Sequence, residues 1–96
     1  MSDVAQEAVP TFAYDVTVVG ATAVEVVASP GKTFKGIQLK AGLSNAGIVY
    51  IGDADVTTAN GYPLDAGEQL FLPVDDMTIV FAVASEADQD LHWITA

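Results

Sequence analysis

The chain has 96 residues, with 13 acidic side chains against three lysines and no arginine, giving a formal net charge of −10. That balance argues against nucleic acid and anionic membrane as partners, because both are gripped through a basic footprint. Apolar residues make up 51% and charged residues 17%, which is the composition of a folded acidic domain rather than a disordered acidic tail. With no cysteine, neither a disulfide nor a thiolate-bound metal supplements the core.

The first residues, Met-Ser-Asp-Val-Ala-Gln-Glu, are acidic and lack the basic start and apolar run of a secretory signal. No apolar stretch approaches the ~20 residues that span a bilayer as a helix. The absence of cysteine fits manufacture in a cytosol. Residues 1–11 show no period and read as an N-terminal arm, either frayed or ordered against a neighbour, with Pro10 at its junction with a single β domain over 12–96.

From residue 12 onward apolar residues alternate with a period of two between closely spaced turn signals. Phe12, Tyr14, Val16 and Val18 share one strand face, with Asp15 and Thr17 opposite. Gly20-Ala21 fits a two-residue hairpin turn leading to a strand over 22–28, and Ser29-Pro30-Gly31 fits a type II turn. Over 33–41, Ile37, Leu39 and Ala41 alternate with Gln38 and Lys40. Gly47 to Gly52 is a nearly continuous apolar run that 53–58 extends after a bend, and Asn60-Gly61 is a strong signal for a type I′ hairpin. Asp65-Ala66-Gly67 turns the chain into a strand over 68–74 that Pro73 ends or marks as an edge. Asp75-Asp76 forms a turn, 77–84 a strand without a polar face, 85–89 a loop and 90–95 a closing strand. The expected fold is all-β: a small sandwich or barrel of about seven antiparallel strands.

The strand over 77–84 carries more apolar surface than one small core needs. With Ile79, Phe81 and Val83 inward, Val80, Ala82 and Ala84 would form an outward apolar seam, which a symmetric oligomer or another partner would cover. The lysines are equally uneven: Lys32, Lys35 and Lys40 fall within nine residues, with four acids before them and nine after. They either pair with acids on neighbouring strands or form a small partner-facing patch.

Signs of catalysis are scarce. The single histidine, His92, has no acid and nucleophile beside it, and no nucleophile elbow, zinc-protease helix motif, phosphate loop or dinucleotide fingerprint occurs. Without arginine there is no bidentate grip for phosphate or carboxylate substrates. Asp53-Ala54-Asp55 resembles the start of a calcium loop. However, Thr58 stands where that loop needs glycine and Leu64 where it needs glutamate, so a solvated turn is expected. Tyr50, Tyr62, Phe71 and Trp93 could form a sugar platform, but their strand positions are explained by core packing. The chain is read as non-enzymatic, without metal or cofactor.

The stretch Val49-Tyr50-Ile51-Gly52, then Asn60-Gly61-Tyr62-Pro63-Leu64, then Gly67-Glu68, preceded by Gly36-Ile37-Gln38-Leu39-Lys40-Ala41 and Asn45, resembles a small β-rich module of structural proteins of tailed bacteriophages. The resemblance covers residues 33–96. It implies a virion component made in the bacterial cytoplasm. For a short free-standing chain, it implies a capsid decoration (cement) protein on the head exterior, commonly a homotrimer that clamps the major capsid protein. Val9 and Pro10 in the arm, with Lys32, Lys35 and Lys40, are the expected contacts to that partner, and Val80, Ala82 and Ala84 the expected oligomer seam. The alternative is a tail or neck appendage that binds a host-surface glycan.

Overall fold

The computed structural model describes residues 13–27 and 36–95. Among them are eight strands: β1 (Tyr14–Val19), β2 (Val24–Glu25), β3 (Ile37–Ala41), β4 (Val49–Gly52), β5 (Tyr62–Leu64), β6 (Gln69–Leu72), β7 (Phe81–Ala84) and β8 (Gln89–Thr95). One 3₁₀ turn, Met77–Ile79, precedes β7. The strands form two four-stranded antiparallel sheets, sheet 1 in the order β1-β8-β3-β6 and sheet 2 in the order β2-β7-β4-β5. The expected all-β sandwich is therefore present, with one strand more than the turn signals indicate.

The pairs β1 with β8, β2 with β7, β3 with β6 and β4 with β5 are nested. The chain is in effect one long antiparallel ribbon, folded back at the loop between β4 and β5. Two further pairings, β3 with β8 and β4 with β7, roll that ribbon into two layers. This is the jelly-roll arrangement. Its consequence for the termini of the elements is that Ala13 and Ile37 meet at one end of sheet 1. The Ala13 N–H donates to Thr95 Oγ1 at 2.9 Å, and Ile37 lies opposite Thr95 in the ladder.

The core fills the space between the sheets. Sheet 1 contributes Val19, Ile37, Leu39, Ala41 and Leu91, and sheet 2 contributes Val49, Ile51, Leu64, Ala82 and Ala84, all buried. Each large aliphatic side chain buried in this way is worth about 1.5–3 kcal/mol. The alternation over β3 is as expected, with Ile37, Leu39 and Ala41 buried and Gln38 and Lys40 half-buried. Thr17 is the polar exception that faces inward from β1. Its hydroxyl donates to the Val26 carbonyl at 2.5 Å and accepts from Trp93 Nε1 at 3.1 Å, tying the two layers together without an unpaired polar atom.

Several local expectations are corrected. Gly20-Ala21 does not close a hairpin: β1 lies in sheet 1 and β2 in sheet 2, so the chain crosses between layers there, held by Ala84 N–H to the Gly20 carbonyl at 2.7 Å. Asn60-Gly61 is not a type I′ turn, because neither residue has positive φ. Instead 53–61 is a loop: the Asp53 Oδ1 accepts from the Asp55 N–H at 2.9 Å, and the Asn60 Oδ1 accepts from the Thr57 N–H at 2.7 Å. Gly61 is needed there for space, since a Cβ would lie 2.6 Å from Tyr50 Cβ. The strand expected over 77–84 is shorter. Asp76 Oδ1 accepts from the Thr78 N–H at 2.9 Å and from its hydroxyl at 2.6 Å, a cap that folds Met77–Ile79 into the 3₁₀ turn. The turn type of Ser29-Pro30-Gly31 and the arm over 1–11 lie outside the described residues.

The seam is also corrected. Val80, Ala82 and Ala84 are 2%, 0% and 1% exposed, inside the chain's own core, while Ile79 points out and is half exposed. A period of two cannot be carried through a 3₁₀ turn, and with both faces of 77–84 apolar the pattern does not choose which one faces the other sheet. No outward seam exists at these three residues.

Candidate functional site

Apolar surface does remain uncovered on the outer face of sheet 1. On β1 the expectation is reversed: Tyr14, Val16 and Val18 face outward, Tyr14 with 71% of its surface exposed, and Val19 enters the core. The register sets two rungs across the four strands. One runs Tyr14, Ile94, Gln38, Phe71, and the next runs Val16, His92, Lys40, Gln69. At about 4.8 Å per strand, the aromatic rings that end the first rung stand ~14 Å apart. Ile94 and Phe71 are both 42% exposed, and a groove of ≈ 500 Å³ crosses the two rungs.

The polar part of this face is small. Gln38 Nε2 donates to Gln69 Oε1 at 3.3 Å between neighbouring strands. Lys40 stands directly opposite both His92 and Gln69, and no carboxylate among the described residues pairs with it. None of the eight residues in the two rungs is acidic, although the chain has 13 acids. Two carboxylates flank the rungs: Asp15 lines the groove, and Asp90 lies opposite Val18 in the next rung.

A second uncovered region lies at the open side of the sandwich where β5 and β6 are the edges. Ile51, Tyr62, Leu72, Val74, Ile79 and Val80 line a cleft of ≈ 340 Å³ that reaches toward the core, with Asp53 at its margin. Tyr62 and Ile79, 58% and 52% exposed, form its rim. Core packing therefore does not account for Tyr62 or Phe71, contrary to expectation. Trp93 is half-buried against the core and spends its N–H on Thr17. Tyr50 is half-buried opposite Pro63.

Of the expected partner contacts, Lys40 sits in the second rung of the sheet 1 face. Val9, Pro10, Lys32 and Lys35 lie outside the described residues. The segments that carry them join the described fold at Ala13 and Gly36, both beside Thr95 at one end of sheet 1. Among the described residues no group of three or more potential metal ligands comes together, and no helix is long and apolar enough to cross a membrane. The signal that could have located the uncovered face was present in β1, where three large apolar residues alternate with an exposed Asp15 and an inward, hydrogen-bonded Thr17. No family model, curated protein or solved structure matches the chain.

Proposed function

We propose that this protein is a non-enzymatic structural subunit of a virion, of the capsid decoration type, mounted on the outside of a phage head where it braces the major capsid protein. The observation that carries the reading is the large uncovered apolar face on sheet 1 of a strongly acidic chain, a surface suited to burial in an assembly. Polar side chains elsewhere are spent on the fold itself: Asn45, Asp76, Gln89 and Glu68 all bond to nearby backbone. The motifs around Val49–Gly52 and Asn60–Leu64 supply the phage assignment by resemblance. The jelly roll adds an analogy only, since viral capsid and lectin domains both use it.

In this reading the end of the sandwich at Thr95 faces the capsid. Segments 1–12 and 28–35, which hold Val9, Pro10, Lys32 and Lys35, both join the fold there. Deleting residues 1–11 is expected to lower occupancy on heads while the purified protein keeps its thermal transition, as read by cryo-electron microscopy and circular dichroism. Unchanged occupancy would refute the assignment of that end. The second reading, a tail or neck appendage that binds a host glycan, is favoured by the exposure of Tyr62. The same micrographs separate the two by where the density sits on the virion.

A further inference from the structure

Asparagine followed by glycine is the dipeptide at which a chain most readily attacks itself, because no side chain shields the glycine nitrogen. The chain has two asparagines, and only Asn60 is followed by glycine. Asn60 is exposed, in the loop over 53–61 that leads into β5. The fold needs both members of the pair. The Asn60 side chain accepts from the Thr57 N–H at 2.7 Å, and a Cβ on Gly61 would lie 2.6 Å from Tyr50 Cβ and 2.7 Å from Val56 Cγ2. A chemically labile dipeptide is thus retained for the sake of the loop.

We infer that Asn60 is a site of spontaneous covalent modification, deamidation through a succinimide, and that Thr57 restrains the reaction in the folded chain. In this reaction the Gly61 nitrogen gives its proton to hydroxide and attacks Asn60 Cγ. The new C–N bond closes the succinimide ring, and the side-chain nitrogen leaves as ammonia. Water then opens the ring at either carbonyl, giving aspartate or isoaspartate with no change of oxidation state. Ring closure is intramolecular, so its rate depends on how freely the two groups meet. Thr57 engages both. Its carbonyl accepts from the Gly61 N–H at 2.9 Å, so the nucleophile cannot shed its proton until the loop opens, and its own N–H holds Asn60 Oδ1. The Thr57 hydroxyl closes the turn further, accepting from the N–H groups of Ala59 and Asn60 at 3.2 and 3.3 Å. Opening to isoaspartate inserts the Asn60 Cβ into the main chain just before Gly61, whose place against Tyr50 and Val56 is already tight. The start of β5, and with it the exposed Tyr62, is displaced.

The test incubates the full chain at neutral pH, folded and in urea, and follows residue 60 by peptide mass spectrometry as oxygen replaces NH. Conversion is expected to be roughly tenfold or more slower in the folded chain, because the two backbone hydrogen bonds to Thr57 must open first. Asn45, followed by alanine, is the internal reference and should lag behind Asn60 in urea. Thr57→Ala removes the hydroxyl but neither backbone bond. It is expected to speed, in the folded chain, both conversion and hydrogen exchange of the Gly61 amide. No conversion at residue 60 in urea would refute the site. Conversion as fast in the folded chain as in urea, or a folded Thr57→Ala that converts at the wild-type rate, would refute the restraint. Should Thr57→Ala fail to fold, the wild-type comparison still decides. Head occupancy plays no part in these measurements, so they stand or fall apart from the capsid reading.

Discussion

Asn45 does for the loop between β3 and β4 what a neighbouring strand would otherwise do. Its amide brackets the backbone of Asp90, Nδ2 donating to the carbonyl and Oδ1 accepting from the N–H, both at 2.9 Å. Gln89 works similarly, accepting from the Gly47 N–H at 2.8 Å and donating to the Ala87 carbonyl at 2.7 Å while itself buried. Removing such a side chain leaves partly buried backbone groups without partners, at about 1–3 kcal/mol. Asn45→Ala is expected to lower the unfolding free energy by that amount, read as a lower urea midpoint at unchanged slope, and Asn45→Asp to do no better, because a carboxylate oxygen would then face the Asp90 carbonyl. A wild-type midpoint for Asn45→Asp would show that the donated bond contributes nothing. At this scale the sequence was legible only in part. Gly67 and its turn were readable, and Gly67 does take φ of +82°. Gly36 also has positive φ, +147°, and a Cβ there would lie 2.0 Å from the Leu72 carbonyl. That requirement comes from a strand 36 residues further along the chain, which no local pattern reports. Gly61 was misread for the same reason: its neighbours Tyr50 and Val56, not its dihedrals, demand a glycine.

The elements show why finding a strand differs from orienting it. A period of two locates β3 and its buried side together, because Gln38 and Lys40 are polar and leave one choice. On β1 the apolar side faces solvent, since the partner layer meets Thr17 and Val19, and hydrogen bonds from Thr17 replace apolar contact there. Along β7 both sides are apolar, and the small pair Ala82 and Ala84 occupies the interior between the sheets. The reversal has a direct test. Enlarging the interior with Ala82→Leu is expected to cost about 1–3 kcal/mol through overpacking, whereas Ile79→Ala, outside the packed cluster and half exposed, should cost well under the interior value. Chemical denaturation of the two variants decides it: a large loss for Ile79→Ala with a neutral Ala82→Leu would restore the outward orientation of Ala82.

For the whole molecule, shape and charge act together. The sandwich was legible as a class from strand spacing alone, yet its strand order was not, because the pairing of β1 with β8 joins residues as far apart as Tyr14 and Ile94. Thirteen acids on a small fold leave a self-repulsion that dissolved salt relieves. The Debye length falls from about 30 Å at 0.01 M to about 3 Å at 1 M. The thermal midpoint of the wild-type chain is therefore expected to rise as sodium chloride is added over that range. A midpoint that fell would mean that attractive pairs outweigh the net repulsion in the folded state.

The nested ribbon also sets the order of events as the chain is made. Pairing can begin at the tip, where β4 and β5 are close in sequence, and then proceed through β3 with β6 and β2 with β7. Among the described residues strand β1 has no ladder partner other than β8, so Tyr14, Val16 and Val18 leave the ribosome early and wait for Ile94, His92 and Asp90 to follow them. Such long-range closure belongs to the slow end of single-domain folding, milliseconds to seconds. During that interval the most exposed apolar strand of the finished sandwich is also its least protected nascent segment.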